Sequence, residues 1–161
     1  MNTRASALID LLELKPHPEG GYFREVFRSS RLVREIDSGK ERNAVTEIYF
    51  LLTADNHSRW HRVDWDETFH YYEGAAMELF WIEKNGGECR QRLLGEAADM
   101  RRPLEVVPAG CWQAARTTGV YTLVGCTVAP GFDFADFRLL KGHPEEAGKI
   151  STRFPELAAL I

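Results

Sequence analysis

Between His57 and Gly74 the chain reads His-Ser-Arg-Trp-His-Arg-Val-Asp-Trp-Asp-Glu-Thr-Phe-His-Tyr-Tyr-Glu-Gly, which sets His57, His61 and His70 among Asp64, Asp66, Glu67 and Glu73. Imidazole and carboxylate side chains share protons, hold divalent ions and orient polar ligands near neutral pH. A strand sends successive side chains to opposite faces. A strand over residues 59–63 therefore places Arg59, His61 and Val63 on one face, with Trp60 and Arg62 on the other. After a turn at Asp64-Trp-Asp66, a second strand places Glu67, Phe69 and Tyr71 together. His61 and Glu67 can then meet across the hairpin. His70 falls on the opposite face, and becomes a ligand contact only if a bulge turns it inward. Spacing leaves two readings open. One is a site for a ligand, a metal or proton transfer; the other is a structural hydrogen bond in a half-buried hairpin.

A second candidate segment is His17-Pro-Glu-Gly-Gly-Tyr-Phe-Arg-Glu25. Its paired glycines predict a tight turn with positive φ or a close backbone approach. In a functional reading Glu19, Tyr22 or Arg24 closes a cavity mouth; in a structural one His17-Pro18 ends a helix and the glycines turn the chain into the first strand. The aromatics Tyr49, Phe69, Tyr71, Phe80 and Trp112 can stack a ring-shaped ligand or simply fill a core. Cys126, in Leu123-Val-Gly-Cys-Thr-Val128, reads as a small buried hydrophobe with nothing beside it to activate a thiolate. His57 and His143 sit in polar loops.

The elements that must carry these residues are short strands. Residues 5–14 hold Ala5, Leu8, Ile9, Leu11, Leu12 and Leu14 on one stripe, an amphipathic helix that Pro16 stops. Beyond Gly21 the period changes to that of strands. Candidates are Tyr22–Arg28, Val45–Leu52, Arg59–Val63, Glu67–Glu73, Met77–Lys84, Glu88–Leu94, Leu104–Val107, Cys111–Arg116 and Val120–Val128. Turn signals at Asn85-Gly-Gly87, Pro108-Ala-Gly110, Thr118-Gly119 and Pro130-Gly131 separate many of them. Nine strands with no helices between them predict an all-β antiparallel sandwich or barrel. The polar stretch 29–44 reads as a mobile loop, and the tail from Pro144 as a short helix with another starting at Pro155. No internal repeat or linker divides residues 1–161, so one domain is expected.

Bulk properties narrow the function classes. A net charge of −4 without a basic tract argues against nucleic acid or an anionic membrane as partner. No apolar run approaches the roughly 20 residues that span a bilayer, and the first dozen residues do not read as a signal peptide. The three cysteines are widely separated with no CxxC pair, so a cytoplasmic protein with reduced thiols is expected.

The spacing His61-x5-Glu67-x6-Gly74 resembles the first motif of the cupin superfamily, and Pro108-Ala-Gly110-Cys-Trp-Gln113 resembles its second. Further strings are similar to the fifth cupin group, the cupin-like family of unknown function 985. They are His17 to Glu25, Ile48-Tyr-Phe-Leu-Leu52, Ser58 with His61-Arg62 and Asp66-Glu67, and Ala129-Pro-Gly-Phe-Asp-Phe-Ala-Asp-Phe137. In order, they cover most of the chain. The resemblance implies a jelly roll (double-stranded β-helix) with an N-terminal helix outside it, short C-terminal helices, and pairing as a homodimer.

It also assigns positions. His61 takes the place of the first metal-binding histidine and Glu67 that of the glutamate, but Val63 stands where the second histidine would be. Gln113 occupies the fourth ligand position with an amide, a weak donor to transition metals. The resemblance therefore implies no tightly held metal; His61, Glu67 and Gln113 are candidates for a loosely held divalent ion only. The expected function is binding of a polar small molecule (sugar, nucleotide or nucleobase-like) in the barrel, with Gln113, Tyr22, Arg24, Phe69, Tyr71 and His70 as ligand contacts. The alternatives are an isomerase or epimerase using His61 as base beside Glu67, a weakly metal-dependent enzyme, and a structural domain with an occluded cavity.

Overall fold

The computed structural model of the chain describes residues 3–84 and 87–161. Asn85 and Gly86 of the expected Asn-Gly-Gly turn lie outside the described residues. Helix α1 (Thr3–Leu11) leads into β1 (Lys15–Pro16), β2 (Tyr22–Arg28), β3 (Leu32–Arg34), β4 (Glu41–Asn43) and β5 (Thr46–Thr53). Then follow β6 (Ser58–Val63), β7 (Asp66–Gly74), β8 (Met77–Ile82), β9 (Cys89–Leu94), β10 (Arg101–Arg102) and β11 (Leu104–Val107). The chain ends through β12 (Trp112–Thr117), β13 (Tyr121–Ala129), β14 (Phe137–Leu139), α2 (Pro144–Arg153) and a 3₁₀ segment, Pro155–Leu160.

Twelve of the strands form two six-stranded sheets, ordered β1-β2-β5-β13-β7-β11 and β10-β9-β8-β12-β6-β14, and β3 and β4 pair apart from them. Every pairing in them is antiparallel except that of β9 with β10. The expected all-β jelly roll is the architecture found. Alternation decides what each sheet buries. Phe50 and Leu52 of β5, Phe69 of β7 and Val124 and Cys126 of β13 meet Met77, Leu79 and Trp81 of β8 and Leu94 of β9 between the sheets. Removing each large apolar side chain from water contributes about 1.5–3 kcal/mol. The outer face of the second sheet is covered by the C-terminal segments. There Trp60, Phe80, Ile82 and Trp112 pack on Leu140, Ile150, Leu157 and Leu160. On the outer face of the first sheet, Leu8 of α1 packs with Leu14, Leu51 and Leu123.

Two expectations change. Residues 29–44 do not form a loose loop; β3 and β4 pair as a hairpin. Its polar side chains hold it in place: Glu35 caps the turn at the backbone N–H groups of Asp37 and Ser38, and Lys40 and Arg42 reach Asp136. Second, β6 and β7 are not partners in a hairpin. β6 lies between β12 and β14 in one sheet, and β7 between β13 and β11 in the other. The chain crosses the sandwich at Asp64 and Trp65, so His61 and Glu67 look toward each other across the interior.

Candidate functional site

The core fills one end of the sandwich and leaves a cavity of about 250 Å³ at the other. Its walls are Phe23, Ile48, Phe50, Val63, Val128, Phe132 and Phe134; polar atoms come from His17, Glu19, His61 and Glu67, with Glu25, Arg28 and Asp133 also on the lining. His61 is held from both sides. Its Nδ1 lies 2.7 Å from the Arg59 carbonyl oxygen, which can only accept, so Nδ1 carries the proton. Its Nε2 faces Glu19 Oε2 at 3.3 Å.

The backbone that permits this is irregular. Gln113 pairs with His61 but Ala115 pairs with Ser58, so three residues of β6 span what two of β12 cover. Such a bulge re-aims side chains. Here Ser58 comes to the same side as His61, donating to Glu19 Oε1 at 2.8 Å, with its Oγ 3.5 Å from His61 Nδ1. Glu19 itself sits in the turn that the paired glycines were expected to make. His17 N–H donates to Gly21 O at 3.0 Å, and Arg59 N–H donates to Glu19 O at 2.8 Å. Gly20 has φ +111°, and a Cβ there would strike the His57 carbonyl. His17 Nδ1 lies 3.3 Å from the same Glu19 oxygen that faces His61.

Two buried carboxylates therefore share one cavity under different conditions. For Glu19, burial alone would raise the pKa, but His61, then His17 and Ser58, outweigh it and hold the carboxyl below its ordinary value. For Glu67, burial prevails and raises the pKa; His61 opposes it, Glu19's charge adds to it, and a 2.6 Å hydrogen bond from Gln113 Nε2 opposes it only in part. Cys126, beside Glu67, has its thiol pushed well above the ordinary range by burial, then by Glu67 and Glu19.

The mouth is roofed by residues 132–137. Phe132, Phe134 and Phe137 stack edge to face on one another, and His17 packs against Phe134 and Phe137 at 6.0 and 5.9 Å. This strap is latched by Asp136, 1% exposed, which accepts from Arg42 Nε (2.7 Å), Arg42 Nη2 (2.9 Å), Lys40 Nζ (3.1 Å) and Trp65 Nε1 (2.7 Å). Burial pushes the Asp136 carboxyl up, but Arg42, Trp65 and Lys40 together bring it below its ordinary value.

Of the residues expected at the site, His61 and Glu67 line the cavity. Gln113 stands behind Glu67, buried, with its Oε1 unpartnered. The others are elsewhere. Tyr22 packs with the α1 cluster, and Arg24 pairs with Glu13 at 2.9 Å. Their parity on β2 is outward, and their neighbours Phe23 and Glu25 line the cavity in their place. Phe69 is core, Tyr71 donates to the Gly74 carbonyl, and His70 faces outward against Thr127 at 3.2 Å, as alternation requires. Of the other stacking candidates, Tyr49 meets Tyr72 on the outer face, while Phe80 and Trp112 pack under the C-terminal segments. Glu19, a candidate for the cavity mouth, lines the cavity, as does His17, read in the structural alternative as a helix end; Phe132 and Phe134, which had no assigned role, line it too. The signals were there in His17-Pro-Glu-Gly-Gly and Pro130-Gly-Phe-Asp-Phe, but nothing local joins them.

The donor set does not fit a four-ligand cupin metal centre. Val63 offers no donor, and Gln113 turns its NH₂ toward Glu67. Among the described residues no three His, Cys, Asp or Glu are placed to hold one ion.

Comparison with known proteins places the chain. Residues 6–140 match the family described as "Cupin superfamily (DUF985)". An uncharacterized protein of Saccharomyces cerevisiae is 27% identical over 152 residues, covering 86% of this chain and 76% of its own. A hypothetical protein from Leishmania major is 32% identical with a TM-score of 0.84, covering 98% of this chain and 96% of its own. Protein SO0799 from Shewanella oneidensis is also 32% identical, with a TM-score of 0.80 and coverage of 97% and 93%. Oxalate decarboxylase of Bacillus subtilis is similar at 16% identity with a TM-score of 0.59 over 91% of this chain and 36% of its own, a likeness of fold alone. No helix among the described residues is long and apolar enough to cross a membrane.

Proposed function

The chain belongs to the DUF985 family of the cupin superfamily, and from that premise we propose that it binds a single polar ring in the cavity between its sheets. The observation that carries this reading is the lining: four phenyl rings around a buried set of two histidines and two carboxylates. Ligand sites take this form, apolar walls fixing a ring and a few convergent polar groups fixing its orientation. A volume of about 250 Å³ lies below the usual range for drug-sized ligands, roughly 300–1,000 Å³. It suits one sugar or one base, and a whole nucleotide is too large. His61 and Glu67 orient the ring, with Gln113 fixing Glu67 from behind.

The test is a thermal-shift screen of single-ring metabolites against the protein and His61→Ala. A specific ligand stabilises the fold by mass action. The expected result is a stabiliser whose effect is lost in the variant. A screen without stabilisers, or one whose hits act equally on His61→Ala, overturns the reading.

A second reading is favoured by the placement of Glu67 and His61 on one cavity. Nδ1–H of His61 is committed to Arg59 O, so a proton taken up by the ring goes to Nε2, where Glu19 Oε2 at 3.3 Å supports it, and Glu67 is biased toward its neutral acid form. A base and an acid facing one cavity can move a proton off and back onto a bound ring, as an isomerase or epimerase requires. Deuterium incorporation from solvent into a bound ligand, absent with His61→Ala, is the expected sign. Incorporation that persists in the variant excludes His61 as the base.

A further inference from the structure

We infer that the cavity selects an uncharged or singly cationic ring bearing N–H or O–H donors and rejects phosphorylated and carboxylated ligands. This rests on the binding reading above and narrows it to a charge class. The first observation is that no cation in the lining is available. Among the described residues of the cavity the one Lys or Arg is Arg28. Its guanidinium is committed on all three nitrogens. Nε and Nη2 bind the two oxygens of Glu25 at 2.9 and 2.7 Å, and Nη1 binds Asn43 Oδ1 at 2.9 Å and Phe132 O at 3.1 Å. Both histidines are turned onto one carboxylate, Glu19, at 3.3 Å each.

The second observation is that acids outnumber bases. Glu19, Glu25, Glu67 and Asp133 all line the cavity. Only Glu67 among the two deeply buried ones lacks a basic partner within ion-pair distance, taking an amide N–H from Gln113 instead. A cationic donor from the ligand favours the ionised form that burial opposes, and in that form Glu67 can still accept. The third is that the 3₁₀ turn beside the cavity is already capped by a carboxylate. Asp133 Oδ1 caps the 3₁₀ turn Phe134–Asp136 by accepting from Ala135 N–H at 2.8 Å, putting a carboxylate where an oxyanion would bind.

A phosphate entering this lining loses its hydration and meets like charges with no guanidinium to receive it. A cationic or donor-rich ring meets carboxylates and the negative faces of Phe23, Phe50, Phe132 and Phe134.

The test uses four probes of one ring size, benzyl alcohol, benzylamine, benzoate and phenyl phosphate, titrated into the protein with the imidazole NMR signals of His17 and His61 as readout. Benzyl alcohol and benzylamine are expected to shift both signals, benzylamine binding at least about tenfold tighter than benzoate or phenyl phosphate. In Glu67→Gln that preference is expected to shrink to within about threefold. Benzoate or phenyl phosphate binding as tightly as benzylamine overturns the charge class while leaving the pocket reading standing. A preference unchanged in Glu67→Gln also overturns the inference, because the discrimination then lies elsewhere. If none of the four moves the histidine signals, the pocket reading fails and this inference falls with it.

Discussion

Glu19 and Glu67 are equally hidden, each 8% exposed, and both face His61, yet the fold drives their acidities in opposite directions. The difference lies in the company each keeps. Glu19 has two imidazoles on one oxygen and the Ser58 hydroxyl on the other. Glu67 has an amide, a thiol nearby and the unfavourable charge of Glu19. Burial by itself says only that ionisation is costly; the partners decide whether that cost is offset. One floor thus carries a carboxylate held ionised and a carboxyl biased toward the neutral acid.

The comparison can be broken most forcefully at Glu19. Glu19→Ala strands two histidines and Ser58, and is expected to cost about 3 kcal/mol, or roughly 6–12 °C in melting temperature. The sign with pH follows from the lowered pKa. Glu19's contribution is complete above the ordinary value of 4.5 and is lost as pH falls through the depressed value. Melting curves from pH 7 downward should therefore converge for protein and variant; parallel curves would show that Glu19 does not hold the ionised state.

Asp136 extends the comparison to the mouth. It is a third buried carboxylate, with Arg42 and Lys40 as partners, and it follows Glu19 in direction. Asp136→Asn is expected to cost about 2 kcal/mol by weakening the three charge-assisted bonds from Arg42 and Lys40, and to loosen the strap over the cavity. Faster amide hydrogen exchange at residues 132–137 would report the loosening, and unchanged exchange would mean the latch does not hold the strap.

Glu67→Gln should act the other way. The folded pKa of Glu67 is raised, so ionising it opposes folding. That penalty is absent below 4.5 and grows as pH rises toward the folded value. The variant is expected to be more stable than the protein at pH 7 by about 1 kcal/mol, with the gain vanishing at low pH. Destabilisation at pH 7 would place Glu67 with Glu19 instead. The smallest effect is expected at Glu73, whose carboxyl is held at about 2 by hydrogen bonds from Arg4 and Tyr121, yet stands at the surface. Solvent screens such a pair, so Glu73→Gln should change stability by less than about 1 kcal/mol in chemical denaturation. A larger loss would show that partners outweigh burial even outside the cavity.

Much of the fold was legible in the chain. The alternation that predicted strands at Tyr22–Arg28, Arg59–Val63 and Met77–Lys84 is local, and β2, β6 and β8 lie there. The hairpin at 29–44 was not legible, because its polar side chains find their partners at Asp136, some ninety residues away. The outward turn of Tyr22 and Arg24 was hidden as well. Alternation fixes which residues share a face, but only packing against α1 decides which face is inside.

From the sequence come His61, Glu67 and Gln113 as the polar set, Val63 in place of a metal-binding histidine, and a jelly roll to hold them. His61 and Glu67 follow from side-chain chemistry and strand period within one short segment, while Gln113, the place of Val63 and the jelly roll are what the resemblance to cupins implied. The tertiary structure alone decided that β6 and β7 belong to opposing sheets, that a bulge brings Ser58 beside His61, and that Glu19 arrives from a glycine turn to face it. The reason is physical. Which strands join which sheet is settled by burying apolar faces across the whole chain, and a buried carboxylate's state is settled by whatever that packing sets against it.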